Sequence, residues 1–285
     1  MINLAIRNWR LFIRDRSSVL YSLLAVFIII GLYVLFLGDI MARGVGGGEQ
    51  GLRLVDSWIM AGLVAVSSFT TTLGALGTMV EDRDRKISKD FSASPLGRWQ
   101  ISGGYLLSSA WVGFFMCCVT FVLAEGYIVM RGGNFLATLE ALEVLGVIFL
   151  SAAASATMLF AITCTVTSNQ AFGGISTVSG TLIGFITGIY IPIGEFPPVV
   201  QIVMKCFPTT HAAALLRQIM TQKPIQAMME GAPQAMIDEL YTDLGIILRF
   251  GDWTMPAWAH IGVLAATTLV FFSLSAYLAS RPRKA

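Results

Sequence analysis

Apolar residues gather in runs of about twenty along this chain, the length that crosses a bilayer as a helix, and short polar segments separate them. The first sixteen residues follow a different pattern. Asn3, Arg7, Arg10 and Arg14 recur on one helical face, and Ile2, Ala5, Ile6, Trp9, Phe12 and Ile13 fill the opposite one. This spacing predicts an amphipathic helix over 1–17 that lies in the membrane surface, with Arg7, Arg10 and Arg14 on its wet side. Six apolar runs follow, at about 19–37, 57–79, 105–130, 144–166, 172–191 and 257–280. The first reaches about 28 Å as a helix, close to the ~30 Å of hydrocarbon. It is too long and too aromatic for a signal-peptide core, and no small-x-small cleavage pattern follows it.

The polar segments differ in kind. Residues 38–56 are glycine-rich and read as a loop. Residues 81–96 form the densest charge cluster, and Ser94-Pro95 reads there as an N-cap followed by proline at the first helical position. Residues 167–170 form a tight polar turn. Pro192, Pro197, Pro198 and Pro208 then punctuate two apolar pieces, 199–207 and 210–220, each too short to span. They read as a re-entrant hairpin over 196–220, or else as a surface loop with two amphipathic helices; membrane-depth backbone of this kind must pack on protein or line a cavity. Residues 221–256 are polar enough to lie outside the membrane, with a helix expected from Pro233 to about Arg249. Trp253 and Trp258 suit the interfacial aromatic belt.

Composition agrees: 55% of the 285 residues are hydrophobic and 13% charged, against about 25% charged in soluble domains. The class is an all-α integral membrane protein. The formal net charge of +2 points to no nucleic-acid partner. The distribution of charge matters more. Of the 19 Lys and Arg, 12 fall on the side shared by both termini and the 81–96 segment. The positive-inside rule therefore expects that side to be cytoplasmic. The expected setting is a multi-pass protein of the cell (inner) membrane, with 221–256 extracellular. Cys117, Cys118, Cys164 and Cys206 show neither a zinc spacing nor a CxxC pattern.

Little in the chain suggests covalent chemistry. Gly173-Gly174 and Gly180 lack a following Gly-Lys-Ser/Thr, so no phosphate loop is expected. His211 and His260 stand far apart in sequence, without evident metal or catalytic partners. Glu125 lies about 30 Å along a helix from Tyr105, which puts it at the outer boundary. It reads either as an interfacial carboxylate or as a cation-contacting group in an outward path. The hydroxyl patch with Ser68, Thr71 and Thr72 reads either as glue between helices or as pathway lining. Energy for transport would then come from outside the chain, and the 81–96 segment is where a soluble partner could attach. A stand-alone secondary carrier remains an alternative, although no internal repeat or midplane ionisable group of the kind such carriers use is evident. So does a membrane scaffold or enzyme.

Nearly the whole length resembles the permease subunits of ABC-2 type ABC exporters. The residues that carry the likeness are the amphipathic start, the six runs, the charged segment ending in Ser94-Pro95-Leu96, and the outer piece with Phe196-Pro197-Pro198, Phe207-Pro208-Thr209-Thr210-His211 and Leu216-Arg217. The long 221–256 segment departs from the pattern. The resemblance implies a single ABC-2 type transmembrane domain over 1–285, paired with a second, identical or related, permease subunit. It also implies two separate soluble ABC ATPase subunits that hold ATP and Mg; this chain itself binds no cofactor. Glu81, Asp82, Arg83, Arg85, Lys86 and Phe91 would belong to a coupling helix seated in the ATPase. Pro197, Pro198, Pro208 and His211 would belong to the outer hairpin. The cargo would be amphipathic: a drug, a peptide antibiotic or a lipid.

Overall fold

A computed structural model describes residues 1–33, 35, 38, 41, 44, 48–87, 90, 91 and 95–280. Helix α1 (Ile2–Arg14) leads at a 76° bend into α2 (Arg16–Leu32). Asp15 makes the corner: its side chain accepts from Ser17 N–H and so satisfies one of the free donors at the start of α2. Leu4, Ala5, Asn8 and Phe12 form the buried face of α1, while Ile2, Ile6 and Ile13 are exposed. Arg10 and Arg14 are exposed as the pattern predicts, but Arg7 leaves the wet face and turns inward.

Helix α3 (Gly48–Asp84) is the axis of the molecule, and 83% of its most apolar window is buried. One expectation fails here. The 38–56 loop is already helical from Gly48, with a Glu49–Arg53 ion pair at 2.6 Å supporting its first turns. The charged segment begins inside α3, which runs through Asp84; the chain turns at Lys86, with a positive φ of 64°, and Ile87, Asp90 and Phe91 beyond that turn are helical. Helix α4 (Arg98–Met130) starts after N-cap Gly97, whose N–H donates to the Gln100 side chain at 3.0 Å. Pro95 therefore precedes the helix rather than opening it, and Ser94 lies outside the described residues, as do Lys89, the end of the first expected span, and 281–285.

Helices α5 (Thr138–Thr163) and α6 (Asn169–Ile186) follow, and Ser168 caps α6 by accepting from Ala171 N–H at 3.2 Å. Pro198 and Pro208 stand in the first turns of α7 (Pro198–Lys205) and α8 (Pro208–Met220), where a missing N–H costs nothing. These two meet at 89°. Helix α8 is buried among α3, α5 and α11 (Ala257–Ser280), so its polar backbone is packed on protein, as the re-entrant reading requires. Between them run α9 (Gln222–Met228), α10 (Gln234–Asp243) and a ribbon of β1 (Arg249–Phe250) with β2 (Trp253–Thr254). The helix expected from Pro233 to about Arg249 thus stops at Asp243, because Gly245 turns the chain at φ +62°.

Among the described residues, α3, α4, α5 and α11 are each long and apolar enough to cross a membrane, and up to six spans result if each bent pair is one span. Helix α6, expected as the fifth span, is not among those four; its 18 residues carry Gly, Ser and Thr throughout. Helices α3, α4 and α5 approach closely through small residues. A methyl group at Gly113 of α4 would overlap Thr72 of α3.

Candidate functional site

The most concentrated polar geometry lies where α1 meets the end of α3. Arg7 makes a fork to Asp82: Nη1 donates to Oδ2 at 2.6 Å and Nη2 to Oδ1 at 3.0 Å. Tyr105 of α4 donates its hydroxyl to the same Oδ2 at 2.6 Å. A two-toothed guanidinium–carboxylate pair of this kind fixes direction as well as distance. Asn8, one residue on, donates to Ser108 of α4 at 3.4 Å. The Arg7 guanidinium also lies 5.4 Å from the centre of the Phe91 ring. The Asp82 hydrogen bond raises the Arg7 pKa against the opposing pull of burial. Three parts of the chain are tied at one point: α1, the charged segment and α4.

The remaining charged residues divide by direction. Arg83 points back into the bundle, where its Nη1 donates to the carbonyls of Thr163 at 2.9 Å and Val166 at 3.0 Å. It thereby adds a second donor to the Thr163 carbonyl at the end of α5 and satisfies that of Val166 in the turn beyond it. Glu81 pairs with Arg85 at 2.7 Å, and Asp84 accepts from Asn169 at 2.8 Å. Arg85 and Lys86 are exposed. A groove of about 470 Å³ opens beside them, lined by Arg7, Phe12, Glu81, Arg85, Asn169 and Phe172 among others.

The other end of the α3–α4 pair repeats the motif. Asp56 of α3 accepts from the Tyr127 hydroxyl at 3.1 Å and from Arg131 Nε at 3.3 Å. Asp56 and Asp82 are 26 residues apart, about 39 Å along α3; Tyr105 and Tyr127 are 22 residues apart, about 33 Å along α4. The two Asp–Tyr–Arg clamps bracket a length slightly greater than the ~30 Å hydrocarbon core. Near the Asp56 clamp, Glu125 is 8% exposed, accepts from Leu136 N–H at 3.1 Å, and lines a cavity of about 200 Å³.

Ser68, Thr71 and Thr72 sit in the middle of α3. All three are fully buried, and their hydroxyls donate to carbonyls of α3 itself: Ala65, Ser67 and Ser68 respectively. Ser68 also meets Ser151 of α5 at 2.7 Å. Ser68 thus joins α3 to α5, while Thr71 and Thr72 bond back to their own helix. Pro197 and Pro198 open α7, Pro208 opens α8, and His211 sits inside α8.

Three placements had no equivalent in the sequence reading. His211 and His260 are buried with their Nδ1 atoms 2.9 Å apart. His211 Nε2 must donate to the Lys205 carbonyl, 2.8 Å away. In a neutral ring its Nδ1 therefore accepts, and His260 Nδ1–H donates. Arg217 is fully buried with its guanidinium 4.4 Å from the Trp58 ring centre, and Nη2 donates to the Gly188 carbonyl at 3.1 Å. The clamps themselves did leave a signal. An Asp stands at each end of the second apolar run and a Tyr at each end of the third. In two antiparallel helices those positions must meet.

A sequence profile for ABC-2 family transporter proteins matches residues 18–277. The match runs from the start of α2 to near the end of α11 and leaves α1 outside it. No curated protein matches the chain. The match takes in most of the chain, and the apolar helices satisfy what such a family requires. The chain belongs to the ABC-2 family of transporter proteins, as a multi-pass membrane component of an ABC transporter that is not itself the catalytic part.

Proposed function

We propose that this chain is the permease subunit of an ATP-driven exporter for an amphipathic substrate. It would pair with a second permease, identical or related, above two soluble ABC ATPase subunits that carry ATP and Mg. The observation that carries this reading is the Arg7–Asp82–Tyr105 clamp with Phe91 beside it. A force applied to α1 or to the charged segment reaches α3 and α4 through one rigid joint, and both helices run the full thickness of the bundle. Domain docking that shifts packed helices in this way is a recognised form of switching.

In this reading the charged residues divide into two roles. Asp82, Arg83 and Phe91 face inward and transmit. Glu81, Arg85 and Lys86 present the surface on which the ATPase seats, with the neighbouring groove receiving part of it. In this arrangement both termini are cytoplasmic and the six spans are α2, α3, α4, α5, α6 and α11. Helices α7 and α8 form the outer re-entrant hairpin, and 221–256 is extracellular. Helix α6 has only Ile183 and Gly184 buried, so its free face is available to the second permease and the cargo path between subunits.

The test is a pull-down of the tagged chain from its native membrane in mild detergent, with mass spectrometry and an ATPase assay. The expected result is a soluble subunit with a phosphate loop in about equal amount, lost when Arg85 and Lys86 are both changed to Ala. Recovery of the chain alone, without ATPase activity, contradicts the reading.

A further inference from the structure

Around the cavity at the Asp56 end, the charges do not balance. Arg131 pairs with Asp56 at 3.3 Å, Lys223 with Glu140 at 2.7 Å, and Arg53 with Glu49 at 2.6 Å. Glu125 is the remaining charged group of the lining. Among the described residues no Lys, Arg or His nitrogen lies within 4.0 Å of its carboxylate. Its one hydrogen bond uses Oε2, which accepts from Leu136 N–H at 3.1 Å. The Glu125 residue as a whole is 8% exposed, and it lines open space. A buried carboxylate that makes no direct ion pair is costly to keep charged, and a ligand that brings a cation against it offsets that cost.

The shape of the space narrows the ligand. About 200 Å³ is below the ~300 Å³ of the smallest whole-ligand pockets, so it fits a headgroup with a short stem. Ile128, Phe135, Leu136, Ile219 and Met220 supply apolar wall. We infer that this cavity is a binding site for a small organic ammonium, with Glu125 taking the charged nitrogen and Phe135 and its apolar neighbours taking the stem. An anion is disfavoured because each cation of the lining is already neutralised by its own carboxylate. The site is argued from the cavity alone and does not rest on the exporter reading.

The full chain in lipid nanodiscs is titrated calorimetrically with 2-phenylethylammonium, 2-phenylethanol and 3-phenylpropionate at neutral pH, with empty nanodiscs as the blank. The ammonium should saturate at one per chain and bind at least roughly tenfold more tightly than either comparator, the difference expected for a charge-assisted contact. Glu125→Gln should remove that preference, while Lys223→Ala, which leaves Glu125 in place, should retain or strengthen it. Should Glu125→Gln fail to fold, the discrimination between ammonium and alcohol by the unaltered chain decides alone. Equal binding of ammonium and alcohol, preference for the anion, undiminished ammonium binding by folded Glu125→Gln, or no saturable binding at millimolar concentration each overturns the assignment.

Discussion

Cutting the joint between α1 and α3 should cost stability in a non-additive way, and the structure sets the scale. In the fork the Arg7 side chain is 33% exposed and the Asp82 side chain 5%. Two unit charges at 4 Å attract by about 4 kcal/mol at an effective dielectric of 20. Solvent around Arg7 and the burial of Asp82 both reduce that gain. The coupling should therefore fall between an exposed pair, below about 1 kcal/mol, and a fully buried one, whose breaking costs about 3–5 kcal/mol. We expect about 1–3 kcal/mol. Arg7→Ala should cost more than Asp82→Asn, because it leaves a buried carboxylate with only the Tyr105 hydroxyl. The assay is thermal unfolding in detergent of the unaltered chain, both single variants and the double variant. At roughly 2–4 °C per kcal/mol for a large domain, the double variant should melt several degrees higher than the summed single losses imply. Trypsin should also cut at Arg10 and Arg14 faster in Arg7→Ala, as α1 loosens from α4. Losses that add to within about 0.5 kcal/mol would refute the joint.

Four further outcomes follow from particular contacts. Gly113→Ala should destabilise by about 1–3 kcal/mol through overpacking, and Thr72→Ala in the same chain should recover part of it; an unchanged melting temperature would show that α3 and α4 are not this close. Trp58→Ala should cost about 3–5 kcal/mol, since the ring is fully buried, stacks on Arg217, and donates to the Leu244 carbonyl at 2.7 Å; melting curves check it. Hydrogen bonds from the Ser18 hydroxyl and from backbone N–H groups of Ser18 and Ser17 hold Asp15 below its ordinary value of 3.8. Its cap should therefore be present above about pH 4 and be lost as pH falls through the depressed value, so Asp15→Asn should flatten the acid limb of a melting profile; an identical limb would contradict the cap. Arg85→Ala with Lys86→Ala should abolish ATPase capture while leaving the melting temperature unchanged, because both side chains are exposed.

The positions of α3, α4, α5 and α11 were legible from apolar runs, because run length alone decides whether a helix can cross hydrocarbon. Their ends were not. Gly48–Asp56 looked like a loop because glycines dominate the residues before it, yet Leu54 and Val55 are buried and draw that stretch into α3. Charge in 81–96 suggested exposure for every member, but burial of Asp82 depends on Arg7 and Tyr105 arriving from 75 and 23 residues away. The same holds for Arg217 and for the His211–His260 pair, whose partners are set by how α8 docks rather than by any local spacing. Helical periodicity placed Arg7 on the wet face of α1, and a single distant carboxylate overrode it.

The most direct test of the coupling role is a photo-reactive side chain placed at Lys86, and separately at Gln234 beyond the opposite end of the bundle, in native membranes. The proposed arrangement predicts an adduct between position 86 and a nucleotide-binding ATPase subunit, dependent on Arg7 and Asp82, and no such adduct from position 234. An ATPase adduct at 234, or none at 86, would contradict it.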